Sequence, residues 1–178
     1  MRQLDFMAQT ITDFRNFFKP AKEKIPFLAG DAAREIMNLM GKLFSDHNIR
    51  VTIHGHSHFK ILGYPNEFKQ VILNIFNNAK DAMVERRTAD GTIDVYLQAR
   101  GEFAEIRIED NAGGIPEELL PDQLFQSYVS TKGERGTGIG LSLARQIIEK
   151  MGGTVTAANT DRGACFTITL PLADETPA

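Results

Sequence analysis

Three side chains near the middle of the chain have the type and spacing to hold a cation or a phosphate. Asn74, Asn78 and Asp81 stand at i, i+4 and i+7 within Asn66 to about Arg86, whose apolar Phe68, Val71, Ile72, Ile75, Ala79, Ala82 and Met83 form one helical stripe. At about 100° per residue the three share a face that flanks the stripe without entering it. An asparagine carbonyl is a hard, neutral oxygen suited to Mg2+, which keeps waters and takes phosphate oxygens and so needs few protein ligands. A solvated helix face would accept the same residues.

Two further segments could meet a nucleotide. Glu109-Asp110-Asn111-Ala112-Gly113-Gly114-Ile115-Pro116 sets a carboxylate at a strand end ahead of glycines, which let backbone approach a planar ligand. A carboxylate only accepts hydrogen bonds. It would take the exocyclic amine of adenine and repel the carbonyl that guanine carries there; an Asp-Asn-Gly-Gly turn is the plainer reading. Gly136-Thr137-Gly138-Ile139-Gly140-Leu141 opens a helix, where backbone N–H groups and the helix dipole favour an anion. It is neither a Walker loop nor the dinucleotide fingerprint, whose third glycine would fall on Leu141. Gly140 to Ala144 is not a nucleophile elbow either, since that motif needs glycine in place of Ala144. The long aperiodic stretch between these segments has Phe125 and Tyr128 to anchor it, and Ser130, Thr131, Lys132 and Arg135 to meet phosphates.

The elements that must position these groups are legible as periodicity. Asp31 is expected to cap a helix carrying Ala33, Ile36, Met37, Met40 and Phe44, and short strands are expected near Val51–His54 and Phe59–Leu62. His54, His56 and His58 would sit in a solvated strand–turn–strand. Thr92–Ala99 and Phe103–Ile108 alternate around Arg100-Gly101-Glu102 as a hairpin, a helix runs to about Met151, and a last hairpin spans Thr154–Ala158 and Cys165–Leu170. Ahead of all this, Leu4, Met7, Ile11, Phe14 and Phe18 make a narrow heptad seam ending at Pro20, with its partner helix expected upstream.

Composition narrows the classes. In 178 residues, 20 Lys+Arg against 23 Asp+Glu give a net charge of −3, which offers no electrostatic reason to expect nucleic acid. The single cysteine, Cys165, excludes an intramolecular disulfide and a Cys-based zinc site. No apolar run reaches the roughly 18–20 residues of a membrane helix.

Taken in order, the Asn-bearing helix, the Asp-x-x-Gly-Gly turn, the Phe-containing loop and the Gly-x-Gly-x-Gly helix start resemble the N, first G, F and second G boxes of the histidine-kinase branch of the Bergerat-fold (GHKL) ATP-binding superfamily. Gly163 to Pro171 is similar to that family's closing hairpin. The resemblance implies an α+β fold, a two-layer α/β sandwich over residues 31–171. It also implies that residues 1–20 are the second helix of a dimerisation and phosphoacceptor hairpin, with 172–178 as a tail.

By the same resemblance the ligands are ATP or ADP with Mg2+. Asn78 would be the metal ligand, Asn74 would hold phosphates, and Lys132 would come in on the lid as the third catalytic group. Asp110 would read adenine, with Gly114 letting the base approach. Asp81, Ile115, Tyr128, Thr131, Gly136, Thr137, Gly138, Gly140 and Leu141 complete the nucleotide site. The chain departs from the family pattern at three places. Ala112 replaces a glycine, which a backbone that is not left-handed there would tolerate; Asp81 stands where many relatives are basic; Gln126-Ser127 replaces Glu-Pro in the lid.

Hydrolytic superfamily members, such as the gyrase relatives, carry glutamate at position 74 to activate water, and an amide is no general base near neutral pH. Asn74 therefore favours phosphoryl transfer to an imidazole, although a hydrolytic ATPase and a nucleotide-binding regulator without transfer are the alternatives. None of His47, His54, His56 and His58 opens the His-Glu/Asp-x-x-x-Pro type of motif, so the acceptor histidine is expected on an upstream helix of the same kinase. The implied setting is a cytoplasmic domain of a homodimeric kinase that passes phosphate to a response regulator.

Overall fold

A computed structural model describes residues 23–55, 58–127 and 138–173. Its order is β1 (Ile25–Leu28), α1 (Ala29–Leu39), α2 (Gly41–Asp46), β2 (Ile49–His54), β3 (Lys60–Gly63), α3 (Pro65–Glu85), β4 (Gly91–Arg100), β5 (Phe103–Asp110), α4 (Gly140–Lys150), β6 (Thr154–Asn159) and β7 (Ala164–Pro171). Two short 3-10 turns, Glu117–Leu119 and Gln123–Phe125, lie between β5 and α4.

Five strands form one mixed sheet in the order β2-β4-β5-β7-β6. β4 and β5 make the expected hairpin, Arg100 facing Phe103 and Ile93 facing Asp110. β2 runs parallel to β4, which requires a crossover, and β3 with α3 provides it. Along β4 the residues alternate, with Gly91, Ile93, Val95 and Leu97 buried. That face packs on the helices, giving the two-layer α/β sandwich.

The core is the seam between layers. Phe68, Ile72, Ile75, Phe76 and Met83 of α3 lie fully buried with Ile93, Ile106, Ile108 and Ile168 from the sheet and Ile148 from α4. Each such side chain contributes roughly 1.5–3 kcal/mol relative to exposure. Pro65 begins α3 where a missing N–H does no harm, and Arg87, with φ +53°, ends it as Thr88 N–H bonds back to Met83 O.

Three local expectations need correction. Asp31 does not cap α1: the helix starts two residues earlier, after Leu28, and Asp31 sits in its first turn, ion-paired to Arg34 at 2.9 Å. Phe44 belongs to a separate short helix, α2. The strands flanking the histidine stretch do not pair with each other, because β3 pairs with β1, a strand ahead of the boundary expected at residue 31. His54 ends β2, as expected, but its part-exposed ring has partners. Its Nε2 lies 2.7 Å from Asp94 Oδ1 and its ring stacks on Tyr96 at 4.6 Å; His56 lies outside the described residues.

Candidate functional site

Asp110 is the last residue of β5 and faces the helical layer, because it shares register and side with buried Ile93. Only 9% of it is exposed. Its Oδ1 accepts two backbone N–H groups, from Ala112 at 2.9 Å and Ala164 at 3.1 Å. No partner for Oδ2 is found among the described residues, so the carboxylate has one oxygen fixed by the fold and one left to accept. Burial raises its pKa above the ordinary aspartate value, opposed by the N–H groups of Ala112 and Ala164 and by the charge of Arg86.

Two neighbours make this placement possible. Gly163 lies so close that a Cβ there would stand 2.1 Å from the Asp110 carbonyl oxygen and 2.5 Å from Oδ1, so only glycine lets β7 begin here. Next along the chain, Gly113 and Gly114 have φ of +85° and +86°, the left-handed region glycine enters without penalty. Ala112 is not in that region, as its tolerance required.

The glycine turn is held by two side chains. The Arg86 guanidinium, at the end of α3, donates to the carbonyls of Ala112 and Gly114, the second at 2.9 Å. Asn159, at the end of β6, accepts the Ile115 N–H at 2.7 Å and donates to the Ile115 carbonyl at 2.8 Å. A Cβ on Gly114 would stand 2.8 Å from Asn159 Oδ1, so the glycine also makes room for this clamp. Asn111 is absorbed structurally, its side chain accepting from Thr92 N–H and donating to the Asp90 carbonyl.

A second group of expected site residues lies where α3 packs against α4. Asn74 Nδ2 donates to the Gly140 carbonyl at 3.0 Å, tying the two elements. Gly138 has φ +63°, and α4 starts at Gly140 after Ile139 with no side-chain cap. The first N–H groups of any α-helix lack intrahelical partners, so this end presents donors to an anion. Leu141 packs against the core beside it. Asn78 is half-buried on the same face of α3 as Asn74, and Asp81 pairs with Lys80 at 2.8 Å.

The root of the long loop is fixed as well. Phe125 is buried edge-on against Phe166 at 6.5 Å, and the Arg145 guanidinium lies 5.0 Å over its ring while bonding Asp122 at 2.9 Å. Tyr128, Thr131, Lys132, Gly136 and Thr137, all expected at the nucleotide, lie outside the described residues. Within them, the fold joins Asn74 to Gly140, and separately sets Asp110 beside the glycine turn of Gly114 and Ile115.

Sequence reasoning missed Arg86, Asn159 and Gly163. Only Gly163 carried a signal, since a glycine entering a strand marks close backbone approach. An arginine at a helix end and an asparagine at a strand end look like ordinary surface residues until the tertiary fold joins them to the turn.

Comparison with known proteins identifies the family of this fold. The model of the histidine kinase-, DNA gyrase B- and HSP90-like ATPase family matches residues 63–174. The two-component sensor PprA of Pseudomonas aeruginosa is 35% identical over 160 residues, covering 87% of this chain and 17% of that protein. Sporulation kinase D of Bacillus subtilis is 31% identical over 175 residues, 96% of this chain and 33% of the other. The nucleotide-free catalytic domain of histidine kinase ThkA superposes with a TM-score of 0.73 at 26% identity, covering 84% of this chain and 95% of that domain. The chain spans well under two thirds of the length of both curated relatives.

Proposed function

The chain belongs to the family of histidine kinase-, DNA gyrase B- and HSP90-like ATPases, and on that premise we propose that it binds Mg·ATP and transfers the γ-phosphate to a histidine on a separate phosphoacceptor helix of a two-component sensor kinase. The observation that carries this reading is Asp110: a buried carboxylate with Oδ1 held by two backbone N–H groups and Oδ2 left as an acceptor beside a left-handed glycine turn. That geometry selects an exocyclic amine, as adenine presents, over a carbonyl.

The phosphates would run toward the start of α4, where Gly138 and Gly140 keep the backbone open and the helix N-terminus favours negative charge. Lys132 would approach from the lid, with Tyr128, Thr131, Gly136 and Thr137 around the nucleotide. The α3 amides fit Mg2+ by donor chemistry, since Asn78 offers a neutral hard oxygen and Asp81 already has a lysine partner. Bound by Asn78, the ion would neutralise charge on the phosphate oxygens.

Asn74 supports transfer over hydrolysis. Its amide cannot take a proton from water, and its Nδ2 is already bonded to the Gly140 carbonyl. The nucleophile must then come from outside the site: a neutral imidazole nitrogen attacks phosphorus, the bond to the β-phosphate oxygen breaks, and ADP leaves with the electron pair. The site's contribution is positioning and charge neutralisation. Residues 1–20 would supply the second helix of the hairpin, 31–171 the catalytic domain and 172–178 a tail. The whole kinase would be a homodimer with this domain in the cytoplasm, serving a response regulator.

The test is to incubate the chain with ATP labelled at the γ-phosphate, alone and with a histidine-bearing hairpin from the same kinase. Acid-labile label should appear on the hairpin and not on the chain. Steady hydrolysis without the hairpin would establish the hydrolytic alternative, and binding without transfer or hydrolysis would leave a regulatory module.

A further inference from the structure

We propose that Arg86 is a positioning residue for adenine recognition, clamping the carbonyls on either side of Gly113 and so holding the base-reading turn against Asp110. The inference deepens the nucleotide-binding reading above and rests on it.

The support begins in the backbone. Arg86 N–H bonds to Ala82 O at 3.0 Å, Arg87 turns left-handed, and Thr88 N–H closes on Met83 O at 2.9 Å. The root of the arginine side chain is therefore held at the end of α3. From there one guanidinium nitrogen donates to both Ala112 O and Gly114 O. A Cβ on Gly113 would stand 3.0 Å from that nitrogen, so the glycine leaves room for the guanidinium as well as for the turn. Two carbonyls converging on one point suit a cation, and a planar, permanently charged group holds such a pair more rigidly than an ammonium.

The position of Arg86 on α3 adds a second consequence. Asn74, bonded to the start of α4, lies in the middle of this helix, and Arg86, bonded to the adenine turn, lies at its end. Twelve residues of helix separate them by about 18 Å, so a single rigid rod sets the distance between the two ends of the site. The same guanidinium is the charged side chain that acts on Asp110. Of the other charged residues nearby, Glu109 lies on the opposite face of the sheet, paired with Arg107, and Arg162 contacts the turn through its backbone carbonyl, which accepts Gly113 N–H at 3.0 Å.

The experiment is calorimetric titration of the whole chain with ATP and with GTP between pH 5 and pH 8, for the wild type, Arg86→Ala and Arg86→Lys. Loss of two charge-assisted bonds that organise the turn should weaken ATP binding by about tenfold or more in Arg86→Ala and narrow the preference for ATP over GTP. The pH at which ATP affinity is half lost should move upward, because Asp110 then protonates more readily. Arg86→Lys should restore the pH midpoint, which needs only the charge, and recover part of the affinity, which also needs the rigid planar group that sets the donor nitrogen between the two carbonyls. A purely structural arginine would not separate those two readouts. Unchanged affinity and midpoint in Arg86→Ala, with the wild type binding ATP, would overturn the role of Arg86 and leave the nucleotide reading intact. Absence of ATP binding by the wild type would overturn both. If the alanine variant does not fold, Arg86→Lys decides alone: wild-type affinity there refutes the clamp.

Discussion

Replacing Asp110 by asparagine tests the chemistry of the site with almost no change of shape. The native Oδ1 takes the N–H groups of Ala112 and Ala164. Asparagine can keep both bonds only by placing its carbonyl oxygen there, which turns its NH2 toward the adenine amine and sets donor against donor. The flipped amide would face the two N–H groups with a donor and lose both bonds. Either way the charge-assisted bond to the base is lost, about 1.5–3 kcal/mol, or roughly ten- to 150-fold in Kd.

Stability should move the other way, and the sign follows from linkage. The folded pKa of Asp110 is raised by burial, so the native state binds more protons than the unfolded chain between the ordinary aspartate value and the raised one. The stability tied to this group is therefore fully present below the ordinary value and lost as pH rises through the folded value. Asp110→Asn removes that loss, and its unfolding free energy relative to wild type should grow with pH over that window and then level off. Titration calorimetry with ATP, paired with denaturant unfolding at acidic and neutral pH, measures both halves. Unchanged ATP affinity would refute the adenine role. A variant less stable than wild type at neutral pH would refute the argument that burial of the charge opposes folding.

Gly163→Ala should destabilise the fold by about 2–3 kcal/mol, in the range of overpacked sites, because the new methyl meets the Asp110 backbone oxygen at 2.1 Å; a denaturant midpoint equal to wild type would contradict that contact. ATP affinity should fall with it, since the methyl also displaces Oδ1. Asn78→Ala should abolish most of the magnesium dependence of ATP binding while leaving unfolding nearly unchanged, and an unaltered magnesium titration would remove Asn78 from the metal site.

Much of the architecture was legible because burial writes a period into the chain. The stripe from Phe68 to Met83 matches α3, and the alternation around Arg100-Gly101-Glu102 matches the β4–β5 hairpin. What escaped was short or non-local. β1 is four residues long, contains Pro26 and finds its partner in β3 only across α1, α2 and β2; nothing in its own composition marks that pairing. Asp31 looked like a cap because Asp favours helix starts, and it does sit in the first turn, where its charge still suits the dipole.

The amino-acid sequence by itself determined the order of the candidate segments: amides on a helix, a carboxylate before glycines, an anchored loop, and glycines opening a second helix. It did so because each depends on residue type and local spacing, which are properties of a single segment. It also placed an amide at position 74, which bears directly on whether water can be activated. The tertiary structure decided which residues of those segments meet, and what holds them. It brought Gly163 against Asp110, Arg86 and Asn159 onto the glycine turn, and Asn74 onto Gly140. These contacts join residues from 26 to 66 positions apart, measured by the Arg86–Ala112 and Asn74–Gly140 pairs. No local periodicity encodes such distances; they exist only once the helices and the sheet have buried their common face.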